Sequence, residues 1–220
     1  MPQPLRIDFV SDVACPWCVI GLGGLEEALA RVGDVIQADL HFQPFELNPD
    51  MPLEGQNLTE HIGQKYGSTP EQSAANRDTI KARAAQVGFT MAQSADSRIY
   101  NTFDAHRLLH WAQIEGRAAA LKHRLFEVNF TEGRNPGDHA ALVEAAVAAG
   151  LDGDAAREVL ASGRYAQEVR TAERHWKGLG VNAVPAVVID NRYLISGGQP
   201  AEVFEQALRD LAAQLASASA

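Results

Sequence analysis

Only two cysteines occur in this 220-residue chain, and they sit three positions apart in Cys15-Pro16-Trp17-Cys18. Two thiols at that spacing support three kinds of chemistry: disulfide exchange, a structural disulfide, or half of a metal site. Pro16 suits the first position of a helix, where its missing N–H costs nothing and its fixed φ is already helical. Cys15 is then the N-cap, with its sulfur near the free N–H groups of the first turn and the positive end of the helix dipole. Such positions lower a cysteine pKa from ~8.5 to about 3.5–7.5, and the thiolate is the attacking species. The spacing therefore predicts Cys15 as the nucleophile. Cys18 lies one turn on, a helix-surface neighbour within the ~4.4–6.8 Å Cα separation that a disulfide needs. It would attack a mixed disulfide at Cys15 and release the partner.

The two other chemistries fit less well. The ring closed by Cys15 and Cys18 is very small, so its entropic stabilisation falls below the ~3 kcal/mol of a 15-residue loop. A zinc site needs two further ligands, and there is no second cysteine pair. His106 and His110 are four apart, but His106-Arg107-Leu108-Leu109-His110 lacks the glutamate of a zinc-protease helix. We expect no metal, and read these histidines as ordinary polar or packing residues. Pro16 and Trp17, between the sulfurs, are expected to position substrate. Asp8 and Asp12 could raise the Cys15 pKa by charge, but read as solvated strand and loop residues. Gly21-Leu22-Gly23-Gly24 has the wrong spacing for a dinucleotide fingerprint. Each interior glycine costs about 1 kcal/mol of helix propensity, so close packing is the expected cause.

The elements that must position the dithiol follow from periodicity. Leu5 to Val10 reads as a buried strand, Trp17 to Arg31 as a helix, and Val35 to Gln43 as a second strand. That is β-α-β, with a right-handed crossover and a parallel pair expected. Asn48-Pro49-Asp50-Met51-Pro52 is a loop, and from Leu58 to Leu179 the pattern is almost wholly helical. Thr69-Pro70-Glu71-Gln72 predicts a capping box. Asp138 and Asp152 read as caps, with Gly88, Gly150 and Gly163 as stops. Ala186-Val187-Val188-Ile189 and Tyr193-Leu194-Ile195 form a hairpin around Asp190-Asn191-Arg192. Pro200 opens a last amphipathic helix, with the tail Ala216 to Ala220 expected to fray. The predicted fold class is α/β: a thioredoxin fold with a large helical insertion between its β-α-β and β-β-α halves. Its expected boundaries are a discontinuous thioredoxin-like domain, 1–50 and 180–220, and an inserted helical subdomain, 51–179.

Composition narrows the partners. A net charge of −9 with dispersed basic residues excludes nucleic acid as a general partner. The N-terminus lacks the basic start and apolar run of a signal peptide, and no stretch approaches the roughly 20 apolar residues of a membrane span. The expected location is cytoplasmic, without a membrane partner.

With the dithiol after the first strand and a helical insertion in the fold, the chain resembles the DsbA-like thioredoxin superfamily, and within it the FrnE-type branch. The segments that carry the likeness are Ser11 to Cys18, Pro44 to Asp50, Asn101 to Arg107 and Gly180 to Pro185, and it extends over nearly the whole chain. The resemblance implies thiol–disulfide exchange on protein or small thiol substrates. It makes Pro185 the cis-proline facing the dithiol, and makes the Val184 backbone a strand-addition site for substrate. At a cytosolic glutathione poise the resting protein would be largely dithiol, which favours reductase or isomerase action over net oxidation. No tightly bound cofactor is implied; glutathione enters as a candidate co-substrate, and a homodimer is compatible with the relatives. Two rival readings follow. The 2-hydroxychromene-2-carboxylate isomerases and kappa-class glutathione transferases share the architecture but usually carry serine at the position of Cys15. They hold glutathione near the equivalent of Gly197-Gly198-Gln199, which here lacks their acidic residue. The other rival is a peptide-binding chaperone using the groove beside Pro185.

Overall fold

Residues Ile7 to Ser11 are all buried, outward and inward side chains alike, because the strand that carries them is covered on both faces. This is β1 (Gln3–Ser11), the centre of the computed structural model, which describes residues 2–218. Helix α1 (Pro16–Arg31) follows, then β2 (Ile36–Pro44), paired parallel to β1 from Gln3 opposite Ile36 to Ser11 opposite Pro44. The intervening part holds β3 (Gln56–Asn57), α2 (Leu58–Tyr66), α3 (Pro70–Gln86), β4 (Arg98–Ile99), α4 (Phe103–Ile114) and α5 (Ala118–Phe126). A π-helical turn (Glu127–Thr131), α6 (His139–Ala148), α7 (Gly153–Ser162) and α8 (Ala166–Gly178) complete it. The chain then returns to the sheet as the hairpin β5 (Ala186–Ile189) and β6 (Tyr193–Ser196), and ends in α9 (Ala201–Ala218). The sheet order is β2-β1-β5-β6, with β5 antiparallel to β1. This is the mixed α/β thioredoxin-like fold with a helical insertion that the element order predicts.

Local chemistry explains the boundaries. Thr69 and Gln72 make both bonds of the capping box, at 3.2 and 2.9 Å. Asp138 accepts from the Ala141 N–H at 2.9 Å and Asp152 from the Ala155 N–H at 2.8 Å. The hairpin turn places Asp190 and Asn191 at φ 49° and 54°, a conformation these short polar residues tolerate. Two details depart from expectation. Gln56–Asn57 and Arg98–Ile99 pair as a small second sheet in a region that reads as loop and helix. The last helix also runs to Ala218 rather than fraying from Ala216, while Ser219 and Ala220 lie outside the described residues.

The glycines of α1 set how closely the two halves of the sheet domain meet. A Cβ on Gly21 would stand 2.9 Å from the Pro185 ring, and one on Gly24 would stand 2.6 Å from the Gln199 carbonyl. Helix α1 is thereby pressed onto the backbone that carries Val184, Pro185 and the approach to α9. Gly24→Ala is expected to cost about 1–3 kcal/mol by overpacking, even though alanine is the better helix former. Gly33→Ala, whose Cβ would meet nothing closer than 3.9 Å, should stay within about 0.5 kcal/mol. Urea midpoints of the two variants check this, and equal midpoints would discard the close-approach account.

Candidate active site

Cys15 has extended backbone (φ −95°, ψ 112°) and forms the N-cap of α1, with Pro16 in the first turn. Its sulfur makes no capping bond; it points at the Val184 carbonyl oxygen, 3.6 Å away. The Val184–Pro185 bond is cis, and the Pro185 carbonyl accepts from the Gly197 N–H at 2.8 Å. Cys18 donates its backbone N–H to the Cys15 carbonyl at 3.0 Å and is fully buried, whereas Cys15 retains 3% of its surface. Burial pushes the Cys18 thiol well up, reinforced by its hydrogen bond with Cys15. Both cysteines are free thiols. Trp17 is half-buried and lines a cavity of about 410 Å³ with Arg83, Gly198, Gln199 and Glu202. The structure thus gathers Cys15, Cys18, Val184 and Pro185 at one point, with Pro16 and Trp17 on the same helix end.

Asp8 and Asp12 are not the solvated residues their positions suggest. Asp8 is buried and receives Arg6 and Gln43 at 2.7 and 2.6 Å. Asp12 is buried too, and accepts from the Ala14 N–H at 3.1 Å and the Leu47 N–H at 2.7 Å. His106 Nε2 lies 3.5 Å from Asp12 Oδ1, an ion-pair distance too long for a good hydrogen bond. Burial alone would raise the Asp12 pKa; His106 and the two backbone N–H groups outweigh it and hold the carboxyl below its usual range. His106 is therefore more than a packing residue, whereas His110 packs at 5.1 Å against the Tyr165 ring. The active-site loop is held a second time by the π-helical turn, whose buried Asn129 donates to the Val13 carbonyl at 3.2 Å. Lys122, on α5, is fully buried, and burial pulls it down to about 8 against the charges of Cys18, Asp12 and Cys15.

Beside this loop, Arg170 on α8 bonds the carboxylates of both Glu46 and Glu173. Each acid is buried and leaves Oε1 without a partner among the described residues. One guanidinium cannot neutralise two carboxylates. Burial, and next the charge of Glu173, push Glu46 up to about 8 against the pull of Arg170.

Sequence reasoning placed the dithiol and passed over its surroundings. Asp12 and His106 stand inside the family-like segments, yet nothing in their spacing pairs them. Lys122 had a usable signal: Ala118, Lys122 and Phe126 recur every four residues on the face that α5 buries. Among the described residues, no three His, Cys, Asp or Glu side chains gather as metal ligands, and no helix is long and apolar enough to cross a membrane.

A dithiol at the N-terminus of the first helix, in a sheet of order β2-β1-β5-β6, defines an enzyme of the thioredoxin/DsbA oxidoreductase superfamily. Residues 6–209 match the DSBA-like thioredoxin domain, and the chain belongs to that family. It is similar to a probable DsbA oxidoreductase from Streptomyces coelicolor, with 41% identity, a TM-score of 0.88, and 94% of this chain and 89% of that one covered. A 2-hydroxychromene-2-carboxylate isomerase shares the fold at 17% identity and a TM-score of 0.70, covering 98% and 100% of the two chains. So does the cytosolic disulfide reductase DsbM from Pseudomonas aeruginosa, solved with GSH, at 17% identity and a TM-score of 0.63 over 94% and 98%.

The Glu46 site makes a pH prediction. A carboxyl raised from 4.5 to about 8 stabilises the fold fully below pH 4.5, and that contribution is lost as pH rises through 8. Wild-type unfolding free energy should therefore fall between pH 4.5 and 8 by up to about 1.4 kcal/mol per unit. Glu46→Gln should remove that part of the slope. Parallel denaturation curves at pH 5, 6, 7 and 8 test it; identical slopes would mean Glu46 is ionised throughout.

Proposed function

We propose that this chain is a thiol–disulfide oxidoreductase of the FrnE-type branch, working through Cys15-Pro16-Trp17-Cys18. The observation that carries this reading is the Cys15 sulfur at an N-cap, 3.6 Å from the Val184 carbonyl, with the Cys18 thiol sealed behind it. Cys15 attacks a substrate disulfide, forming a mixed disulfide and releasing one substrate thiolate. Cys18 then attacks the Cys15 sulfur, closing the internal disulfide and releasing the second thiolate. An extended substrate segment pairs with the Val184 backbone beside Pro185, a short form of strand addition.

Residues 1–50 and 180–220 supply this machinery, and 51–179 are its inserted helical subdomain. Protein and small-molecule disulfides are both substrates on this reading, and the site requires no bound metal. Glutathione is the proposed co-substrate and reductant. The cavity beside Trp17, bordered by Gly198 and Gln199, has room for a small thiol, and the similarly folded DsbM was solved with GSH. We also place the protein in the cytoplasm, where the glutathione poise would keep the resting dithiol reduced.

Titration in glutathione redox buffers, with trapped thiols assigned by mass, tests the reading. We expect one reversible Cys15–Cys18 disulfide, no turnover by Cys15→Ser, and a trapped mixed disulfide in Cys18→Ser. If glutathione only bound or capped Cys15 and no internal disulfide formed, dithiol exchange would be abandoned in favour of the isomerase or transferase reactions.

A further inference from the structure

Helix α3 lies against α1 through Val87, since a Cβ on Gly23 would stand 2.7 Å from the Val87 side chain. Arg83 stands one turn earlier on the same face of α3. It lines the groove that α1 makes with the 198–202 segment. On α1, Trp17, Ile20 and Glu27 follow one face and form the floor of that groove, a rise of roughly 15 Å at 1.5 Å per residue. Gly198 closes the end nearest the dithiol, where a Cβ would stand 2.9 Å from the Trp17 carbonyl. The groove is the cavity of about 410 Å³ that adjoins Trp17, the residue between the two sulfurs and the proline.

The charged side chains lining it are Glu27, Glu202 and Arg83. Both acids already bond Arg31, Glu27 at 2.5 Å and Glu202 at 3.2 Å. The Arg83 guanidinium makes no hydrogen bond or ion pair among the described residues. A net charge of −9 repels anions from the molecule as a whole. At physiological salt that repulsion is screened beyond about 8 Å, so inside the groove the nearest unmatched charge decides.

We propose that Arg83 is a specificity-determining residue of this groove, holding a carboxylate of a small acidic thiol or disulfide whose sulfur meets Cys15. The inference rests on the dithiol reading above and narrows its small substrates to those with a carboxylate several bonds from sulfur. The planar guanidinium and a carboxylate match as paired donors and acceptors. Gln86, which also lines the groove, adds an amide donor beside them. An uncharged disulfide can reach Cys15 but leaves that cation without a partner.

Rapid mixing of the reduced protein with excess disulfide, followed by tryptophan fluorescence, gives a second-order rate constant for oxidation of the dithiol. Glutathione disulfide and the uncharged bis(2-hydroxyethyl) disulfide are the two probes, and their ratio within each variant cancels any general change in the cysteines. Arg83→Gln should lower the ratio about 5-fold, the scale of one exposed ion pair, and Arg83→Glu should lower it further. Arg83→Lys should keep the larger part of the ratio, because a cation remains. Added salt should lower the wild-type ratio and leave that of Arg83→Gln nearly flat. A wild-type ratio in both Arg83→Gln and Arg83→Glu overturns the proposal. So does a ratio in Arg83→Lys as low as in Arg83→Gln, which would trace the effect to shape and not to charge. Failure of the wild type to form a Cys15–Cys18 disulfide with either probe would instead overturn the dithiol reading on which the proposal rests.

Discussion

The Asp12 carboxylate is the constraint on which the rest of the site depends. It is buried and held below the usual carboxylate range, and a buried carboxylate is tolerated only when its oxygens are hydrogen-bonded. Its partners come from three separate stretches of chain: Ala14 beside Cys15, Leu47 after β2, and His106 on α4. Satisfying one group therefore orders the Cys15 loop, docks the 44–48 segment and brings the insertion against the end of the sheet. Any of the three arriving out of place would leave a charge without its full set of partners.

The helical insertion is consequently part of the chemistry's frame. Asn129 holds the Val13 carbonyl, and His106 faces Asp12. The sheet domain contributes the other wall through steric fit. Gly21 and Gly24 let α1 approach the Pro185 ring and the Gln199 backbone. Polar anchoring thus meets the dithiol loop on one side and close packing meets α1 on the other.

How far the sequence speaks depends on whether a signal is local. The helix starting at Pro16, the capping box at Thr69, the caps at Asp138 and Asp152 and the hairpin at Asp190 all rest on neighbouring residues, and all are found. The parallel pairing of β1 with β2 followed from crossover rules, and the β5–β6 pairing from its turn residues. Residues whose meaning lies in distant partners were misread: Asp8 and Asp12 look solvated in isolation, and His106 looks ordinary, because their environment comes from segments tens of residues away. The small β3–β4 pairing was missed for a related reason, since two-residue strands carry no alternation for a pattern to report.

Complete burial of Cys18 one turn behind an almost buried Cys15 bears on survival under peroxide. Oxidation of Cys15 would yield a sulfenic acid, and the adjacent Cys18 thiol can condense with it, releasing water and forming a disulfide that thiols reverse. That internal capture competes with the second oxidant molecule needed to reach the irreversible sulfinic acid, while Cys18 itself stays shielded. The geometry proposed for exchange would thereby also guard the Cys15 sulfur.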